Sequence, residues 1–411
     1  MPRVAALHRI RDGLGLRRSI VGLLAMVILV GLGEKMAERF LPIYLVALGG
    51  GVLSVGLLNG LDNLLSALYS LPGGYLSDRL GTKRALLIFN LLAMAGFVVV
   101  IGVPLWPAVI GASFLFLSWT AISLPASMSL VAQSLPTSKR TMGVALHSLI
   151  RRVPMALGPV IGGLFIDHFG DKSGVRLAFV AALAMAGVAI VMQQVLIPDD
   201  RASRAADKPL PRHPLKVLHA MDPALKNLLV SDILIRFCEQ IPYAFVVLWC
   251  MQQVLHPVTA LQFGILTTVE MATAAPLYIP VAYFADRSGK KPFVLMTFVF
   301  FTLFPVTLLF CQSFWPLVAV FVLRGLHEFG DSTRKALIMD LAPEDQKALT
   351  FGVYYLVRDS IVSVAAFGGA FLWMISPATN LLTACAFGVL GTIWFALRGR
   401  DLSTDYADEH R

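Results

Sequence analysis

Charge is what this chain has least of. Of its 411 residues only 14% are Asp, Glu, Lys or Arg, against about 25% in ordinary soluble domains. With 57% hydrophobic residues, that balance excludes a solvated globular domain. Cysteine is scarce as well. Cys238, Cys250, Cys311 and Cys385 lie in or at the ends of apolar runs without paired spacing, so they read as small core residues rather than disulfide partners or metal ligands. No glycine-rich phosphate loop occurs, which removes ATP coupling. No nucleophile–base set stands out, which removes an intramembrane enzyme. Without a His/Cys cluster, His147, His327 and the carboxylates leave metal-ion export only a distant alternative, and neither a metal nor a cofactor is expected. The first apolar run is too long for a signal peptide and lacks a small-residue cleavage site, so no cleavable leader is expected.

What is present is a succession of long apolar runs. At roughly 20 residues per bilayer crossing, the length holds about twelve spans with short loops. The net charge of +9 is not spread as a nucleic-acid surface would be, and no nucleic-acid partner is expected. Basic residues gather in alternate loops: Arg3, Arg9, Arg11, Arg17 and Arg18 before the first span, Lys139 and Arg140 after the fourth, and Arg201, Arg204, Lys208, Arg212 and Lys216 after the sixth. Loops of the other parity carry almost none, apart from Lys172 and Arg176 beside Asp167 and Asp171. This positive-inside pattern puts both termini in the cytoplasm. The expected divisions are a cytoplasmic segment 1–18, a first half 19–197, a cytoplasmic link 198–222, a second half 223–398 and a tail 399–411.

The chain is organised around Gly74-Tyr75-Leu76-Ser77-Asp78-Arg79-Leu80-Gly81-Thr82-Lys83-Arg84. A tight charged turn between membrane-length helices needs this composition. Gly74 permits close helix packing, Asp78 offers its charge to helix ends or arginines, and Gly81 permits a sharp reversal. Arg79, Lys83 and Arg84 hold the turn on the cytoplasmic side. The pattern returns as Ala282-Tyr283-Phe284-Ala285-Asp286-Arg287-Ser288-Gly289-Lys290-Lys291, with Pro72 and Pro280 keeping the same offset upstream. Two copies between apolar runs mark a duplicated membrane bundle. The turn resembles the signature of the major facilitator superfamily, G-x-L-A-D-R-x-G-R-K-x, found after the second helix with a degenerate copy after the eighth. Ser77 and Thr82 are the main departures in the first copy. Asp340, Pro343 and Lys347 are similar to the charged clamp that partners the second copy.

The charges inside the spans are the candidate site. Glu34 and Glu38 share one helix face in the first span, Lys35 and Arg39 an adjacent one. Glu34 lies roughly 22 Å along the helix, where a charge costs several kcal/mol unless paired or hydrated. Two readings stand, an ion-pair cluster that fixes packing or a face on a water-filled cavity. Asp62, in the second span, lies roughly 24 Å from Asp78. The repeat offset carries Asp62 onto Glu270 in the eighth span. The third and fourth spans, from Ala85 to Ser138, contain no charged residue.

The fifth span carries His147, Arg151, Arg152 and a bend- and packing-prone Gly158-Pro159-Val160-Ile161-Gly162-Gly163. That cluster is similar to part of the superfamily's antiporter motif, with Pro154 and Ala145 at two expected glycine sites. Arg151 and Arg152 sit about 100° apart on a helix, so at most one points squarely inward. In the second half, Asp232, Arg236 and Glu239 occupy the seventh span, and Arg358 with Asp359 the eleventh. Arg324, His327, Glu328, Asp331, Arg334 and Lys335 recur at three- and four-residue steps, which predicts a single polar stripe on the tenth span. Arg324-Gly325-x-x-Glu328 is similar to the Arg-containing motif that multidrug/proton antiporters carry in the fourth span. Its absence there weighs against a multidrug reading.

The resemblance implies an all-α membrane protein of twelve transmembrane helices in two pseudo-symmetric six-helix bundles, lining a cavity with the first, fourth, seventh and tenth helices. It implies a monomeric secondary transporter, not an enzyme, in the lipid bilayer (the inner membrane, if the source is bacterial), with a small-molecule substrate and protons as partners. The wall is charged on three sides and apolar on one, which suits an amphipathic or anionic organic solute. Desolvated carboxylates exchange protons near neutral pH. Export by antiport is the leading expectation, with uptake by symport or facilitation next and a non-transporting sensor last. Proton coupling is expected of Glu34, Glu38, Asp62, Glu239, Glu270, His327, Glu328, Asp331 and Asp359. Counter-charge or substrate contact is expected of Arg151, Arg152, Arg236, Arg324 and Arg358. Gating is expected of Gly74, Asp78, Arg79, Gly81, Lys83, Arg84, Asp286, Arg287, Gly289, Lys290 and Asp340.

Overall fold

The computed structural model describes the backbone of residues 18–117, 119, 123, 127, 137–197, 217–219, 221–343 and 347–399, and the side chains of all of these except 18–20, 70–79, 137–149, 278–279, 282, 286 and 347–349. Among the described residues every regular element is helical. In order they are α1 Arg18–Glu38, α2 Leu41–Ala47, α3 Gly51–Leu80, α4 Thr82–Gly102, α5 Trp106–Phe116 and α6 Thr137–Leu196. There follow α7 Pro223–Tyr243, helical turns Val246–Gln253, α8 Ala260–Ala274, α9 Tyr278–Ser288, α10 Lys291–Leu309, α11 Phe314–Leu326, α12 Asp331–Asp340, α13 Lys347–Ile375 and α14 Pro377–Arg398.

Six of these stretches are long and apolar enough to cross a bilayer, and α7 with Val246–Gln253 makes a seventh as a pair bent by 42°. The 47-residue stretch Ile150–Leu196 holds two crossings at roughly 20 residues each. Gly170 divides it with a left-handed φ of 78°. Taken in order, the helices are consistent with twelve spans; the first, seventh, eighth and tenth are each built from shorter helical pieces.

Close packing sorts the chain into two compact units, Met1–Gly49 with Leu68–Lys208, and Gly50–Ala67 with Pro209–Arg411. In the first, α1 lies on α6. A Cβ at Gly158 would fall 2.7 Å from the Lys35 Cβ, and one at Gly33 would fall 2.8 Å from the Ala182 Cα. The helices touch through their backbones there, as a small-residue face allows. Phe97, Phe116 and Phe179 join α4, α5 and the second arm of α6 at centroid separations of 5.5–5.6 Å. A buried relay runs beside them. Trp119 Nε1 donates to Asn90, Asn90 to Gln193, and Gln193 to the Lys83 carbonyl, at 2.9, 2.8 and 2.8 Å. In the second unit α7, α10, α12, α13 and α14 share a core around Leu225, Phe298, Ile338, Tyr354 and Phe395.

The two signature copies adopt one local structure. Helix α3 runs unbroken through Gly74 to Leu80, so the expected turn shrinks to Gly81, with φ 85° and ψ 153°. Gly289 ends α9 with φ 90° and ψ 154°. Matching backbone angles at matching repeat positions are structural support for duplication. The polar stripe expected on the tenth span is corrected. The helix stops at Leu326 and restarts at Asp331, so Arg324 and Arg334 stand on separate segments. The interruption is tolerated because Thr297 Oγ1 accepts the Gly330 N–H at 2.6 Å. The first span likewise breaks, between Glu38 and Leu41, with Pro42 opening α2.

A non-glycine residue at these φ and ψ values costs on the order of 1–3 kcal/mol. Gly289→Ala is therefore expected to lower the melting temperature in detergent. Gly102→Ala, where an added Cβ meets no atom within 4 Å, should leave it unchanged; equal melting of the two variants would contradict the strained-turn assignment.

Candidate functional site

The charged side chains of the second unit form two buried groups. The first is built where α11 meets α8. A Cβ at Gly325 would fall 2.6 Å from the Thr273 Cβ, so only glycine lets the two backbones come this close. That approach seats the neighbouring Arg324 beside Glu270, with Nε 3.1 Å from Oε1 and both side chains almost fully buried. The guanidinium carbon lies 4.9 Å from the Phe304 ring centre and 5.7 Å from those of Tyr243 and Phe321. It borders a small cavity whose other walls are Cys238, Glu239, Tyr243, Val246, Phe301, Phe304 and His327. His327 stacks on Phe301 at 4.3 Å and lies 3.7 Å from Glu328. Glu239 is held by Arg236, one turn away. The cavity measures about 10 Å³, close to the room one water needs, so in this conformation it is shut to an organic solute.

The second group centres on Asp232, which has no solvent exposure. It accepts from Arg334, from the Tyr354 hydroxyl at 3.1 Å and from Arg358 Nη1 at 3.2 Å. Arg334 also donates to Asp331 at 2.6 Å and Arg358 to Asp359 at 2.7 Å. Lys335, half exposed, completes the set on Asp331. Every charge here is answered by another, as burial requires. The group ties α7, α12 and α13 together.

The remaining expected residues are more scattered. Lys35 bridges Glu34, at 3.7 Å, and Glu38; Glu34 is buried and Glu38 half-buried. Asp62 is half-buried on α3. Its neighbour Asn63 donates to the Gln240 side chain at 3.1 Å, and Asn59 to the Gln240 carbonyl at 2.7 Å. Arg151 and Arg152 are both half-buried, and the His147 side chain lies outside the described residues. Among the signature positions, Lys83 donates to the Gln194 carbonyl at 2.8 Å, Arg84 is exposed and Arg287 lies 4.1 Å over the Tyr283 ring. Lys290 pairs with Asp340. The side chains of Asp78, Arg79 and Asp286 lie outside the described residues.

Sequence reasoning did not place Asp232 or Tyr354 among the site residues. The signal was available: Asp232, Arg236 and Glu239 fall on one face of α7, and Tyr354 stands one turn before Arg358 on α13.

The family model described as Major Facilitator Superfamily matches residues 23–256 and 228–410. An uncharacterized MFS-type transporter of Methanocaldococcus jannaschii is 21% identical over 370 residues, 87% of this chain and 89% of the relative. The quinolone resistance protein NorA of Staphylococcus aureus is 29% identical over 184 residues, 43% of this chain and 44% of the relative. A multidrug efflux pump of Mycolicibacterium smegmatis, LfrA, is 30% identical over 133 residues, 31% and 25% respectively. In fold the chain is similar to a POT family transporter crystallised with a thioalcohol conjugated peptide, at TM-score 0.79, 12% identity and coverage of 94% and 96%. A nucleoside transporter structure, NupG, gives 0.78 at 13% identity, covering 93% of this chain and 100% of that one.

Removing one partner of a buried, multiply bonded charge costs about 3–5 kcal/mol, whereas a half-exposed pair is worth about 0–1 kcal/mol. Asp232→Asn is therefore expected to lower the melting temperature sharply and Lys335→Ala hardly at all, read by thermal unfolding in detergent.

Proposed function

The chain belongs to the Major Facilitator Superfamily and is a multi-pass membrane transporter rather than an enzyme, and we propose that it moves a small amphipathic or anionic organic solute by alternating access coupled to protons, with export by antiport as the leading direction. The observation that carries this is the buried Glu270–Arg324 pair, whose arginine lines a small cavity walled by Tyr243, Phe301 and Phe304. Its carboxylate has three competitors: Arg324, a proton and the polar end of a solute. A solute that donates to Glu270 competes with the proton, and such mutual exclusion is what exchange requires. The names of the resistance and efflux relatives support outward movement. In this reading the chain is a monomer of two six-helix halves joined by residues 198–222, in a bacterial inner membrane with both termini cytoplasmic. Asp62, at the repeat position of Glu270, serves the first half, and the signature residues act as gates.

A second reading follows from the same pair. If the solute is an anion held by Arg324, protonation of Glu270 releases the guanidinium for it, so proton and solute bind together. The sign of that linkage makes the protein an uptake symporter. Ethidium and 2-naphthoate, one cationic and one anionic amphipath, distinguish the two directions in proteoliposomes under an imposed pH gradient. In either case Glu270→Gln is expected to bring gradient-driven accumulation to background while the fold and downhill exchange persist. Proton coupling that survives the substitution, loss of the fold, or no proton-linked movement of either probe by the wild type would overturn the proposal.

A further inference from the structure

Three buried guanidiniums of the second unit differ in what their donors meet. Arg334 spends both terminal nitrogens on carboxylates, Nη1 on Asp232 and Nη2 on Asp331. Arg358 spends Nε on Asp359 and Nη1 on Asp232. Arg324 uses Nε alone, on Glu270. Arg324 is not fully shut off from solvent at its terminal nitrogens, its side chain is 6% exposed and lines the cavity, and Glu239 on the same wall also acts on its charge. The cavity beside them has room for about one water, and Tyr243, Phe301 and Phe304 are among its lining residues.

We propose that the two terminal nitrogens of Arg324 form the docking fork for the carboxylate of a flat aromatic solute, whose ring lies among Tyr243, Phe301 and Phe304. This rests on reading the cavity as the solute site, and selects the anionic of the two solute chemistries. A guanidinium fork matches a carboxylate bidentately, which a lysine ammonium does not. Rings already standing 4.9 and 5.7 Å from the guanidinium carbon receive an aromatic ring by offset or edge stacking. Glu270 is then a positioning residue. By holding Nε it sets the plane of the guanidinium and leaves the fork to the cavity. Because the cavity is shut in this conformation, the solute reaches it only when the walls part, and the test uses whole protein free to cycle.

Purified full-length protein in detergent is melted at constant pH and ionic strength with 2-naphthoate, 2-naphthamide or cyclohexanecarboxylate. A specific ligand stabilises by mass action. The expected result is a saturable rise in melting temperature with 2-naphthoate, a smaller rise with cyclohexanecarboxylate and none with the uncharged amide. Arg324→Lys should abolish the naphthoate shift. Tyr243→Leu, which leaves the charges in place, should shrink it, and serves if the arginine variant does not fold. No shift with naphthoate, equal shifts with the amide, or a shift unchanged in both variants overturns the inference. Gradient-driven ethidium movement is read in parallel. If it persists without naphthoate binding, the fork alone is wrong; if wild-type protein moves neither probe, the broader reading of the cavity falls with it.

Discussion

A charge held inside a bilayer must be neutralised by a neighbour or by water, and most of the second unit is arranged by that requirement. Asp232 meets it in full, with three donors from three positions on α12 and α13. The helices that supply those donors are thereby fixed to α7. Glu270 meets it with one contact to one arginine. The difference between the two is the difference between a structural joint and a site. The joint gathers several partners around one carboxylate, whereas the site rests on one pair whose arginine borders a cavity.

Breaks in the helices serve the same division. The interruption between Leu326 and Asp331 separates the segment carrying Arg324 from the one carrying Arg334. Its freed Gly330 N–H is satisfied by Thr297, so the chain bends without leaving that donor orphaned. Irregular backbone at membrane depth is tolerated only where it is buried in protein or lines a cavity, and His327, at this interruption, is part of the cavity wall. The duplicated turns work differently. They place a glycine in one left-handed conformation at Gly81 and again at Gly289, and in the second copy the flanking Lys290 reaches Asp340.

Much of this was legible before any coordinates. The scarcity of charge and the repeated Asp-Arg-x-Gly turn identify a duplicated membrane bundle, because few other folds tolerate either. The repeat offset from Asp62 singles out Glu270, and the three-and-four spacing with the Arg324-Gly325-x-x-Glu328 motif singles out Arg324. Their pairing was not readable, since it depends on Gly325 bringing α11 onto the backbone of α8. The three-and-four spacing on the tenth span suggested one stripe because periodicity assumes an unbroken helix. The interruption at Gly330, whose N–H is taken by Thr297 of α10, defeats that assumption. The face that Asp232 shares with Arg236 and Glu239 is legible in the sequence, but its partners Arg334, Tyr354 and Arg358 are not, being more than a hundred residues away.

The central claim is that the Glu270–Arg324 pair does more than neutralise two charges. Exchanging them tests it: Glu270→Arg combined with Arg324→Glu, compared with each single reversal for melting temperature and for gradient-driven transport in proteoliposomes. The account predicts that the exchange recovers much of the stability lost in the single reversals, since charges again face opposite charges, while proton-driven transport stays at background. An exchanged protein that transports with wild-type dependence on the pH gradient would contradict it, and would make the pair a structural bridge.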